Sequence, residues 1–129
     1  MARLILDSGA VIALAARDAT ARQFVDRALR MGTLVVVPAV VIAETTRGGP
    51  RDAPVNRVLK TVDEITPVTE ATARLAGRLL AAAGLPNATI DALVVAEAAL
   101  GDAAILLTGD LKDLAALASG YPRVHVYGV

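Results

Sequence analysis

Residues 34–44 read Leu34-Val35-Val36-Val37-Pro38-Ala39-Val40-Val41-Ile42-Ala43-Glu44, and this stretch decides the fold. Its first four residues are apolar and mostly β-branched, with no polar alternation, as in a strand covered on both faces. Pro38 has no amide hydrogen, so it closes the strand and opens a helix. A doubly covered strand that runs straight into a helix belongs to a parallel sheet layered between helices.

The rest of the chain repeats the alternation. Residues 4–6, 64–66, 105–107 and 124–127 are four more short apolar or β-branched runs, which with 34–37 make five strands. Between them lie helical patterns at 19–31, 69–83, 89–100 and 110–118. The first carries Phe24, Val25, Ala28 and Leu29 on one face and Arg22, Asp26 and Arg30 on the other; the second stops at Gly84. Residues 48–52 and 84–87, rich in Gly and Pro, read as loops. The expectation is a single α/β domain with a mostly parallel five-stranded sheet flanked by helices.

Composition narrows the chemistry. The 129 residues are 55% hydrophobic, which excludes disorder, and one domain's length leaves no room for a second core. No cysteine and a single histidine, His125, exclude thiolate and multi-histidine metal sites and a thiol nucleophile. Three aromatics (Phe24, Tyr121, Tyr127) are too few for a base-stacking platform. The apolar start of the chain is interrupted by Asp7, and no run approaches the roughly 20 apolar residues of a membrane span. The chain therefore reads as soluble and cytoplasmic, with oxygen ligands for its chemistry.

Ligands bind outside the carboxyl ends of strands in such sheets. Asp7 follows the first strand and Asp110 the fourth; Asp91 lies in the first turn of the 89–100 helix, and Glu44 in the second turn of the helix that leaves Pro38. Asp7, Asp91 and Asp110 each have an ordinary reading as helix caps or first-turn acids. Glu44 fits such a reading worst, because Val37, Val40 and Val41 share its helical face; Val94, Val95 and Ala98 do the same for Asp91. Apolar stripes that each contain one acid point to carboxylates directed inward toward a shared point. Converging carboxylates need a cation, and an all-oxygen set selects magnesium or manganese. That combination suits hydrolysis of a phosphodiester by an activated water.

Four segments in order, Leu4-Ile5-Leu6-Asp7-Ser8, Val37-Pro38-Ala39-Val40-Val41-Ile42-Ala43-Glu44, Ile90-Asp91-Ala92-Leu93-Val94 and Leu107-Thr108-Gly109-Asp110, resemble the PIN-domain ribonucleases, specifically the VapC toxins of prokaryotic toxin–antitoxin pairs. The resemblance spans nearly the whole chain and implies one PIN-like domain over residues 1–129. It implies neighbouring first and fourth strands, with Asp7 beside Asp110. It further implies that Asp7, Glu44, Asp91 and Asp110 form a catalytic pocket for one or two Mg2+ or Mn2+ ions in an endoribonuclease. Asp113 corresponds to a further acid present in many members, although a solvated first-turn acid is the preferred reading. Ser8 matches the small hydroxyl residue after the first aspartate. Gly9 departs from the serine or asparagine common at the next position. Thr108 is a supporting hydroxyl. VapC-like proteins also imply a homodimer and a cognate antitoxin protein, bound across the acidic groove with an arginine entering the pocket.

Charge distribution agrees with an RNA substrate. Basic and acidic residues balance at 13 each, but residues 1–60 carry +4 and residues 61–129 carry −4. Setting aside the four pocket acids leaves thirteen basic against nine acidic residues, a net charge of +4. Eleven of the basic residues are arginine, suited to bidentate phosphate contacts, and Arg17, Arg22, Arg47, Arg51 and Arg57 are the RNA-binding candidates. Solvated helix faces are the ordinary alternative for these five. His125, between Val124 and Val126, reads as structural, while Glu97 and Asp102 read as solvated surface acids.

The competing function is a non-catalytic α/β regulatory or protein-binding module, either a degenerate PIN domain or a receiver-like one. A receiver wants an acidic pair after the first strand and a late lysine, whereas Lys60 and Lys112 are the only lysines here. A phosphatase with a nucleophilic aspartate wants a second aspartate where Gly9 stands.

Overall fold

The computed structural model describes residues 2–129. Strands β1 (Arg3–Leu6), β2 (Leu34–Pro38), β3 (Glu64–Thr66), β4 (Ala104–Thr108) and β5 (Val124–Gly128) form one sheet in the order β3-β2-β1-β4-β5. Every pairing is parallel, so the expected mostly parallel sheet is wholly so. The chain builds outward through β2 and β3, then crosses back to lay β4 against the other edge of β1. This reversal puts the topological switch point between β1 and β4, with Leu6 in register with Leu107.

Helices α1 (Ser8–Ala15), α2 (Ala19–Met31), α3 (Ala39–Thr45), α4 (Ala53–Leu59), α5 (Glu70–Ala83), α6 (Thr89–Leu100) and α7 (Leu111–Leu117) cover the sheet. Side chains alternate across it. Leu6 lines one cavity with Leu14, Val25 and Val58 of α1, α2 and α4, whereas Arg3 reaches Glu97 of α6 on the opposite face. Leu4, Ile5, Leu6, Val36, Leu106 and Leu107 are at most 1% exposed, which accounts for the unbroken apolar character of their runs.

Two corrections concern the middle of the chain. Residues 48–52 are not wholly loop: Pro50–Asp52 form a 3-10 turn that leads into α4, a helix the sequence reading did not anticipate. The turn is held by buried Asp52, whose carboxylate accepts the amides of Arg47 (3.0 Å) and Gly48 (2.7 Å). α4 is only seven residues long, with Pro54 in its first turn, so only Val55 and Val58 mark its buried face.

Candidate metal centre

Three helix N-termini meet at the carboxyl end of the sheet. Asp7 caps α1, its Oδ1 accepting the Ala10 amide at 3.0 Å, and Asp110 caps α7 by accepting the Asp113 amide at 3.3 Å. Asp91 stands in the first turn of α6. The capping reading of Asp7 and Asp110 is therefore correct, and it coexists with convergence, because a carboxylate oxygen that accepts one hydrogen bond still has a lone pair to offer. Helix dipoles favour anions at all three positions.

Asp91, Asp110 and Asp113 each offer a carboxylate oxygen within 4.8 Å of the others. Asp113 thus joins this cluster, against its preferred reading as a solvated first-turn acid. Its place follows from spacing: three residues after the cap of a short helix, it turns back over the same N-terminus. Asp7 is buried, at 5% exposure, and its charge acts on Asp91 ahead of those of Asp110, Glu44 and Asp113. The Thr108 hydroxyl, fully buried, donates to Asp7 Oδ2 and accepts the Asp110 amide at 2.8 Å. One side chain so ties the first acid to the fourth. Asp7's own amide donates to the Leu107 carbonyl at 3.1 Å, which fixes β1 against β4 at the same level.

Glu44 requires a correction. It is exposed, in the last turn of α3, and its Oε1 accepts from the Ser8 hydroxyl. The apolar face shared with Val41 does point inward, but α3 ends one residue later, at Thr45, so Glu44 stands on the open rim instead of being buried. Its charge still acts on Asp91.

The electrostatics identify what these acids lack. Burial, followed by the charges of Asp7, Asp110, Glu44 and Asp113, pushes Asp91 up to about 6. Burial also raises Asp7, opposed by hydrogen bonds from the Thr108 hydroxyl and the Ala10, Gly109 and Gly9 amides. Hard oxygen donors in mutual repulsion, three of them within 4.8 Å, fit a hard divalent cation.

The five arginines divide. Arg17, Arg22 and Arg57 line a groove between α2 and α4, about 280 Å³ in volume, whose other walls include Leu14, Val25, Leu29 and Val62. Arg57 also donates to the Ala15 carbonyl at 3.0 Å. Arg47 folds back onto the end of α3, donating to the carbonyls of Ala43 (3.0 Å) and Thr46 (2.7 Å), and Arg51 is exposed in the 3-10 turn. His125 is exposed in β5, in register with Ile105. Asp102 is exposed, 3.9 Å from Arg123. Glu97 is not the solvated acid its sequence suggested. It is 18% exposed and paired with Arg3 at 3.1 Å, and burial still raises its pKa against that pairing.

A parallel sheet between helices, with carboxylates gathered at its switch point, defines the class: an α/β protein built around an acidic pocket. Within that class the chain belongs to the PIN domain family, which it matches over residues 4–119. No curated protein sequence matches it. In fold it is similar to VapBC2 of Rickettsia felis, solved with a DNA fragment from its promoter, at a TM-score of 0.70, 13% identity and coverage of 100% of this chain and 99% of that one. DNA-bound VapBC of Salmonella typhimurium gives 0.71 and 15%, covering 99% and 98%. A toxin–antitoxin complex of Klebsiella pneumoniae gives 0.71 and 21%, covering 98% and 99%. Among the described residues no helix is long and apolar enough to cross a membrane.

Proposed function

We propose that this chain is the toxin of a toxin–antitoxin pair and a magnesium- or manganese-dependent endoribonuclease. The observation that carries the reading is the gathering of Asp91, Asp110 and Asp113, with buried Asp7 acting on Asp91, in a chain of the PIN domain family. Asp91, Asp110 and Asp113 would hold the cation together with Asp7, whose charge acts on Asp91, and Glu44 would stand on the rim. A bound divalent ion supplies an activated water and offsets charge on the phosphoryl oxygens. Thr108 keeps Asp7 and Asp110 in register, and Ser8 holds Glu44 toward the pocket. RNA phosphates would be met by the exposed arginines, Arg17, Arg22, Arg51 and Arg57 more freely than Arg47.

The cognate antitoxin would lie across the acidic groove with an arginine entering the pocket, and an apolar stretch of it would fit the α2–α4 groove, where Arg17, Arg22 and Arg57 rim the apolar walls. The working form would be a cytoplasmic homodimer. The antitoxin assignment is supported by similarity of fold to the toxin–antitoxin complexes and by the chemistry of the groove.

The test is cleavage of structured RNAs by the purified, partner-free protein, in magnesium against EDTA, with Asp7→Asn and Asp91→Asn beside the wild type. Cleavage that needs metal and is lost in both variants is expected. Cleavage that survives EDTA and both substitutions contradicts the reading. A folded wild type that neither cleaves nor binds the metal turns it toward a non-catalytic binding module.

A further inference from the structure

Between the two capping acids, main chain touches main chain. Gly9 sits in the first turn of α1 and Gly109 immediately precedes Asp110. A Cβ at Gly9 would lie 2.6 Å from Gly109 Cα and 2.7 Å from Gly109 N. A Cβ at Gly109 would lie 3.1 Å from Gly9 Cα. Neither residue has a positive φ, so the requirement for glycine is one of space alone. The obstructing atoms are backbone, which no rotamer change can move aside. Carbon atoms pack at about 3.5–4.0 Å, so a methyl group at position 9 would force the two segments roughly 1 Å apart.

Those segments carry Asp7 and Asp110, which are otherwise joined by the Thr108 hydroxyl and by the Asp7 amide on the Leu107 carbonyl. We propose that Gly9 and Gly109 are positioning residues whose backbone contact sets the spacing of the Asp7 and Asp110 carboxylates for a divalent cation. The departure of position 9 from serine or asparagine is then a feature of this chain's own packing. Magnesium accepts near-ideal octahedral geometry and metal–ligand distances within about 0.2 Å, so a shift of roughly 1 Å is large on that scale. The proposal rests on the pocket's being a metal centre, and its test separates the two.

Mn2+ binding to the full chain, measured by calorimetry, compares wild type, Gly9→Ala, Gly109→Ala, Gly101→Ala and Gly77→Ala. Supporting changes around metal ligands cost about 10–100-fold in affinity, and a loss in that range is expected for Gly9→Ala, with a smaller loss for Gly109→Ala. Gly77 has open space around it, and Gly101 abuts only the guanidinium of Arg3, the group that pairs with Glu97 at the opposite end of the sheet. Both of these variants keep wild-type affinity, even where Gly101→Ala lowers the melting temperature. If Gly9→Ala fails to fold, Gly109→Ala carries the test, and RNA cleavage by that variant should recover as Mn2+ is raised. Wild-type affinity in the folded glycine variants overturns the proposal. Absence of Mn2+ binding by the wild type overturns the metal centre itself.

Discussion

Helix α6 carries a partly buried acid near each end, and the two have opposite surroundings. At its carboxyl end Glu97 faces Arg3, which also donates to the carbonyls of Glu97 and Ala98 and so caps the helix while pairing with its acid. At its amino end Asp91 faces Asp7, Asp110, Glu44 and Asp113. Burial raises both carboxyls, but for Glu97 an arginine opposes the rise and for Asp91 four more acids add to it. A fold supplies counter-charges for the acids that only hold it together. Where acids gather without them, the missing charge has to come from solution.

The sharpest way to break this comparison is to neutralise one acid at each end. Asp91→Asn and Asp7→Asn should lower magnesium-dependent RNA cleavage by roughly 1,000-fold, a barrier change of about 4 kcal/mol, in a single-turnover assay. Glu97→Gln should leave the same rate within about twofold. Equal losses at both ends would remove the distinction.

Stability should respond the other way round. Arg3→Met strands Glu97 without its partner and should lower unfolding free energy by about 1–3 kcal/mol in a urea titration. Adding Glu97→Leu should recover much of that loss, since a well-packed apolar pair substitutes for a buried ion pair. Cleavage by the double variant should match the wild type.

A smaller effect concerns pH. The folded pKa of Asp91, about 6, exceeds its ordinary value of 3.8, so the folded state binds the proton more tightly. Metal-free stability should therefore be greatest below about pH 4 as far as this group contributes, and be lost as pH rises through about 6. Asp91→Asn in EDTA should show a shallower decline over that window and melt about 3 °C higher at pH 7.5. The smallest effect is expected where both partners are solvated. The Arg74–Glu70 pair is 72% and 80% exposed, and Glu70→Gln should change the unfolding free energy by at most about 0.3 kcal/mol in a urea titration.

Much of this could be read from the residues, because burial on both faces leaves a plain record. Val35, Val36 and Val37 announce a central strand, and the positions of Asp7 and Asp110 after strands announce the carboxyl end of the sheet. What stayed illegible depended on length and partners. Glu44 shares a stripe with valines, but a seven-residue helix ends before that stripe can carry it inside. Asp113 reads as solvated because its neighbours Asp91 and Asp110 come together only through tertiary structure. Glu97 looks like a surface acid until Arg3, 94 positions away, is laid beside it. The Gly9–Gly109 contact is invisible for the same reason: glycine at each site looks like local freedom and is a long-range fit.

The central claim is that the carboxyl-end acids await a cation, and thermal unfolding tests it most directly. Wild type and Asp91→Asn would be melted at pH 7.5 in EDTA and in saturating Mg2+ or Mn2+. At free metal about 100 times its dissociation constant, binding contributes about 2.7 kcal/mol, so wild type should gain roughly 8 °C. Asp91→Asn should start higher in EDTA and gain little. A wild-type melting temperature unmoved by either ion would contradict the account.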